Sequence, residues 1–337
     1  MFGRRPVFVL TCLGLGGLLI FTIYQSDLGL TKAKLLWKTN TDLLWFSSTP
    51  KHIKPLSDDI TIVTAYFNIG NFFKARKDNV RGPNEYLSWM KVFSRIRNPV
   101  VAFFDDEQMY ANFTRFRSKF PYNTKTILVK RKDLWSFGLR DRIADIFRTP
   151  GYPQHLPNTV VPEYSCIMHA KFEFLLKVAE ENYFGTKYIS WLDIGLFRFD
   201  TKNFSFGLWL PSNFDPQKVS YSQVGEFNNN LTPQKIVVDN IVWVSGAMNL
   251  ARMNVMKNFT RDYIRFVNYC LDSKFISTDQ QVIYGMYSKF TPERAKPSVQ
   301  IQPYTNGPGD VYFQLGYICR EEWFKKRANV STKSTRT

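Results

Sequence analysis

The chain has 337 residues, 44% of them hydrophobic and 16% aromatic, and carries 45 Lys and Arg against 28 Asp and Glu, a formal net charge of +17. Its 30 Phe point to a substantial core, while 3 His and 4 Cys are too few and too scattered for a histidine metal site or a disulfide framework. No Lys/Arg block of the nucleic-acid type accompanies the charge. The excess therefore points away from nucleic acid and towards nucleotide diphosphates, acidic glycans or membrane headgroups.

Arg4 and Arg5 precede an uncharged stretch whose apolar core, Val7 to Tyr24, is long enough to cross a bilayer as a helix. The expected layout is a cytoplasmic tail at 1–6, an uncleaved signal anchor at 7–24 and a stem at 25–57. That makes a single-pass type II protein of the secretory pathway, in the Golgi or ER, with everything beyond the anchor lumenal. A cleaved signal peptide is the alternative, but its apolar region would be unusually long and no small-x-small cleavage site follows. Asn112, Asn203, Asn230, Asn258 and Asn329 each head an N-glycosylation sequon, in keeping with a lumenal route. Cys12 falls in the span. Cys166, Cys270 and Cys319 remain, enough for one bridge plus a free thiol or for a covalent homodimer.

Globular patterning starts near Asp59. The β-branched run Ile60–Phe67 predicts a first strand, with a loop at 68–71, and Tyr86, Met90, Phe93 and Ile96 have helical spacing over 84–96. Pro99–Phe104 predicts a second strand ending in Asp105-Asp106-Glu107, and Thr126–Val129 a third. Leu139–Phe147 reads as a short helix, and Pro162 and Ser165 start a longer one running to about Asn182. Next comes Tyr188–Asp193, an apolar strand ending on one carboxylate, followed by Gly195 and Arg198. Ile236–Val238 and Ile241–Val244, flanking Asp239-Asn240, predict a hairpin. Ser245-Gly246-Ala247 would then close its second strand. Helices are expected over 253–271 and 278–287, and a disordered tail over 326–337. Strands alternating with helices indicate an α/β domain at 58–325 with a mostly parallel central sheet flanked by helices.

Open α/β sheets bind ligands at the carboxyl ends of their strands, so the strand-end carboxylates are the first candidates. Asp193 is placed to hold a metal or a donor diphosphate; its bland alternative is a turn cap. Asp105 and Asp106 offer a second carboxylate or a ribose contact, or are solvated turn residues. Lys171 interrupts the apolar stripe of the long helix, either reaching a phosphate or snorkelling past the core. His169 reads as an ordinary hydrogen-bonding residue. Arg198 clamps a phosphate or pairs with Asp193 or Asp200.

In order, Ile60–Phe67, Asp105-Asp106, Met168-His169-Ala170-Lys171-Phe172, Trp191-Leu192-Asp193-Ile194-Gly195 and Ser245-Gly246-Ala247 resemble the HtrL/YibB-like family over roughly residues 58–325. These are glycosyltransferase-like proteins of bacterial surface-polysaccharide contexts and of animals. The resemblance implies a GT-A-like fold, a nucleotide-sugar donor and a glycan or glycoprotein acceptor. Under it Thr64, Asp105, Asp106, Lys171 and Arg198 are the donor-binding candidates, Ser245 and Gly246 line the sugar, and Asp279 is the candidate base or a helix N-cap. Asp193 would hold Mn²⁺ or Mg²⁺. Gly195 stands where the usual Asp-x-Asp motif has its second acid, so Asp193 needs a partner from elsewhere. Two other readings are a non-catalytic lumenal sugar- or nucleotide-binding protein on the same fold, and a hydrolase or phosphotransferase using the clustered Asp residues. No G-x-S-x-G or P-loop motif supports the last.

Overall fold

Strand β1, Ser57–Tyr66, lies inside a seven-stranded sheet of order β5-β4-β1-β6-β8-β7-β9. The computed structural model describes residues 57–334. The expected tail, membrane span, Cys12 and all of the stem except Ser57 lie outside the described residues. Among the described residues no helix is long and apolar enough to cross a membrane.

β4 (Val100–Phe104), β5 (Thr124–Leu128) and β6 (Thr186–Leu192) join β1 in a parallel block, as the βαβ pattern implies. β8 (Val244–Arg252) is the one reversed strand of this sheet, antiparallel to both β6 and β7 (Val219–Gln223); β9 (Ile301–Tyr304) returns parallel to β7. All five residues of β4 are buried. Its pleat sends Val101 and Phe103 into one core and Val100, Ala102 and Phe104 into another. A sheet covered on both faces accounts for the near-continuous apolar runs read as strands.

The first core lies under α4 (Arg140–Phe147), α5 (Pro162–Glu181), α7 (Met253–Asp272) and α8 (Asp279–Met286). The second lies under α1 (Pro83–Met90), α2 (Glu107–Phe116) and the start of α9 (Gln314–Ser334). A short helix, α3 (Trp135–Gly138), precedes α4. α5 starts on Pro162, which loses nothing by lacking an N–H there, and stops at Asn182 in the left-handed conformation, φ 42°.

Three expectations differ. The predicted hairpin at 236–244 is absent: Pro233–Val238 forms a short helix, α6, because Thr232 caps it by accepting from the Lys235 N–H at 3.2 Å and Pro233 opens it. Burial of Ile236 and Val237 outweighs their β preference. Ser245-Gly246-Ala247 accordingly opens β8 rather than closing a strand. The segment from 326 that reads as a disordered tail continues α9 as far as Ser334. A hairpin unforeseen in the sequence, β2 (Phe72–Lys74) with β3 (Arg76–Arg81), projects between β1 and α1.

Cys166, Cys270 and Cys319 are each buried and free, so no bridge joins any two of them. Asn203, Asn230 and Asn258 are exposed and Asn112 is half-buried, while the side chain of Asn329 lies outside the described ones.

Arg117 is 1% exposed with no carboxylate partner among the described residues. Its guanidinium donates to the carbonyls of Phe93 (3.0 Å), Ile96, Asn98 (3.1 Å) and Asn123 (3.2 Å) and to Thr124 Oγ1 (2.9 Å). Burial lowers its pKa to about 10. It thereby ties the turn after α1 and the loop after α2 to the sheet. Arg117→Met strands several buried carbonyls at about 1–3 kcal/mol each. The expected loss in urea-unfolding free energy is about 3 kcal/mol or more; a loss below about 1 kcal/mol would show that water replaces the guanidinium.

Candidate functional site

Asp193 immediately follows β6, so its backbone stands at the carboxyl edge of the parallel block. Because β8 is reversed, its first residues meet this edge, and the Asp193 N–H donates to the Ala247 carbonyl at 2.8 Å. Gly195 is required by a close approach rather than by backbone angles: a Cβ there would stand 2.9 Å from Trp89 Cε3.

Lys171, on α5, reaches this edge from beneath. Its Nζ lies 3.1 Å from Asp193 Oδ1 and 3.0 Å from Asp279 Oδ2, and donates to the Gly246 carbonyl at 2.9 Å. Burial alone would depress the lysine, but Asp193 and Asp279 outweigh it and hold the ammonium above its ordinary pKa. Gly246 has no alternative here, since a Cβ would sit 2.3 Å from Asp279 Oδ2. Trp191 Nε1 donates to Asp193 Oδ1 at 2.6 Å, fixing the carboxylate from a second side. The Asp193 side chain is 39% exposed against 3% for Asp279, so one acid of the pair faces outward and the other is sealed in.

Above Lys171 a cleft of about 190 Å³ opens between the β1 loop, the β2–β3 hairpin, α1, α5 and the turn after β6. Lys74, Arg81, Lys171 and Arg198 line it against one carboxylate, Asp193. Arg81 and Arg198 stand 5.1 and 5.4 Å from the Trp89 ring. Neither guanidinium has a carboxylate within ion-pair distance among the described residues. Burial, then the nearby Arg81, lowers the Arg198 pKa. Lys74 donates to the Tyr164 hydroxyl, and burial lowers its pKa to about 8 against the pull of Asp279. Tyr66, Tyr86 and Trp191 add aromatic faces.

Of the predicted site residues, Asp193, Lys171 and Arg198 meet in this cleft. The others are elsewhere. Asp105 accepts from the Asn68 N–H at 2.8 Å and from Arg131, and Asp106 caps α2 by accepting from the Met109 N–H at 2.8 Å. Both are consumed by their own loop, so neither is the partner Asp193 was expected to need. Thr64 is fully buried within β1, its hydroxyl without a hydrogen-bond partner among the described residues. Ser245 is buried and accepts from the Ala247 N–H, so it and Gly246 serve packing and Lys171 rather than lining a sugar. Asp279 is neither an exposed base nor the N-cap of α8, a position held by Thr278; it is the buried counter-ion of Lys171. Asp200 pairs with Arg95 and Arg320, not with Arg198. His169 bonds Tyr263 Oη at 2.8 Å, and burial lowers its pKa to about 4.

Lys74 and Arg81 escape sequence reasoning because the turn of their hairpin carries no Gly or Asn: Ala75 takes the positive φ of 64°. The density of Lys and Arg around Phe72 and Phe73 was the available signal.

Among the described residues no group of three or more His, Cys, Asp or Glu is placed to hold a metal ion. A lysine ammonium stands 3.1 Å from the one cleft carboxylate, where a second ligand would be needed. The donor set does not fit Mn²⁺ or Mg²⁺, and the charges facing a ligand are organic cations.

The family model described as bacterial protein of unknown function (HtrL_YibB) matches residues 58–294. No curated protein matches the chain.

Lys171→Met leaves Asp279 buried without a counter-ion, an expected cost of about 3–5 kcal/mol in unfolding free energy, partly restored by adding Asp279→Asn. Additive single-mutant effects in that cycle would disprove the coupling. Lys74 is protonated below about pH 8 and neutral above it, so its attraction for an anion is full below that pH and lost as pH rises through it. Pyrophosphate affinity is expected to fall across pH 8 in the wild type and to be flatter in Lys74→Met; parallel profiles would remove Lys74 from the anion site.

Proposed function

The chain belongs to the HtrL/YibB family, and on that premise we propose that it is a GT-A-like glycosyltransferase that transfers a sugar from a nucleotide diphosphate donor to a glycan or glycoprotein acceptor. The observation that carries this reading is the cleft at the sheet's carboxyl edge, where Arg81 and Arg198 stand beside Trp89 with no carboxylate within ion-pair distance among the described residues. Planar guanidinium groups match phosphate oxygens bidentately. As the bond from the anomeric carbon to the diphosphate breaks, negative charge grows on the departing oxygen. Arg81, Arg198 and protonated Lys74 stabilise it there, in a site where the dipoles are already in place.

Asp193 is the carboxylate assigned to the sugar. Its Oδ1 is committed to Trp191 and Lys171, while Oδ2 accepts no hydrogen bond among the described residues and remains for a donor or acceptor hydroxyl. Lys171 positions Asp193 and takes no part in the diphosphate. Charge stabilisation by side chains needs no metal, in keeping with the donor set. The apolar segment 7–24 and the exposed sequons support placing this chemistry in the lumen of the secretory pathway, with the chain anchored as a type II protein.

The reading is tested by titrating nucleotide diphosphate sugars into the protein and then following nucleotide diphosphate release with candidate acceptors, with and without Mn²⁺. Arg198→Ala is expected to weaken nucleotide diphosphate binding about 10- to 100-fold, the loss of charge-assisted hydrogen bonds. Asp193→Asn is expected to bind the donor and lose turnover. Failure of every donor to bind sinks the proposal. Binding without release to any acceptor leaves a sugar- or nucleotide-binding protein on the same fold.

A further inference from the structure

Behind the Trp89–Arg198 wall of the cleft lies a second, more open basin of about 510 Å³, and both residues line the two cavities. It runs from that wall past Lys91 and Arg95, in the segment after α1, to Lys119, in the segment leading to the amino end of β5. Its charge is one-sided. Lys91 and Lys119 are exposed and have no carboxylate within ion-pair distance among the described residues. Among the described residues Asp200 is the basin's one acid; its side chain is 3% exposed, and it lies 3.6 Å from Arg95 and 3.0 Å from Arg320, so it is already neutralised. The buried Arg95 Nη1, the atom that faces Asp200, makes no hydrogen bond among the described residues.

A wall shared with the donor cleft means that a molecule lying in the basin can end against Trp89 and Arg198, which also line the cleft that holds Asp193. Cations spread along the basin, rather than gathered at one point, suit a ligand whose charges are spaced along a chain. We propose that this basin binds the acceptor, and that the acceptor is an anionic saccharide carrying carboxylate or sulfate groups. The proposal rests on the glycosyltransferase reading for the word acceptor, and on the basin alone for the ligand class. Low-dielectric walls around like charges focus the field and draw such a polymer in, an effect that salt weakens.

The test uses the full chain, made in a host that does not N-glycosylate so that Asn203 on the rim carries no glycan. Binding of sulfated, glucuronate-containing and neutral oligosaccharides of equal length is measured beside binding of a nucleoside diphosphate. The sulfated and carboxylated probes are expected to bind and the neutral one not. Lys91→Glu with Lys119→Glu is expected to weaken the anionic probes at least about tenfold while leaving nucleoside diphosphate affinity unchanged. Arg198→Ala, on the shared wall, is expected to weaken both. Equal binding of the neutral probe, or indifference to the charge reversal, overturns the proposal. So does a matching loss of nucleotide affinity, which would make the basin part of the donor site. Anionic probes that bind where no nucleotide does would sink the glycosyltransferase reading and leave the anion basin standing.

Discussion

Lys171 is the side chain on which the site's geometry depends. It leaves α5, passes through the core and ends against Asp193, Asp279 and the carbonyl of Gly246. One ammonium thus joins a helix, the end of a parallel strand, the start of the reversed strand and the first residue of α8. Burying an unpaired charge costs several kcal/mol, so the set is stable only when complete. That requirement explains why Gly246 has no side chain and why Trp191 reaches back to Asp193. The exposed acid is held still by Lys171 and Trp191.

Charge is distributed unequally around this hub. The buried level balances an ammonium with two carboxylates, leaving a local excess of negative charge. The level above it is cationic, with Lys74 and Arg81 brought in by the β2–β3 hairpin and Arg198 by the turn after β6. Trp89 lies within cation–π distance of both guanidinium groups. An aromatic face attracts cations without neutralising them, which preserves their charge for a ligand.

The reversed β8 is what makes the arrangement possible. A parallel strand there would bring its last residues to the carboxyl edge and would need a longer crossover. Reversal instead delivers Ser245 and Gly246, small enough to let Asp279 through to Lys171.

Much of this was legible in the sequence. The apolar runs of β1, β4 and β6 announce strands buried on both faces, because covered parallel sheets leave no polar alternation to confuse the period. A lysine on an apolar stripe and a lone strand-end carboxylate announce Lys171 and Asp193, since buried charges need a reason. Other assignments failed for physical causes. Asp105 and Asp106 are acidic at the right strand end, but Asn68, Arg131 and the N-terminus of α2 claim them. Ile236 and Val237 look like a strand until Thr232 and Pro233 cap a helix around them. Lys74 and Arg81 were invisible because Ala75 supplies a turn without a turn residue. Composition and pattern by themselves determined the α/β class and the cationic bias and singled out Lys171 and Asp193, while the resemblance of particular motifs pointed to the family. Tertiary structure decided which charges neutralise one another and which are left for a ligand, because pairing depends on distances of a few ångströms between segments that lie about a hundred residues apart in the chain.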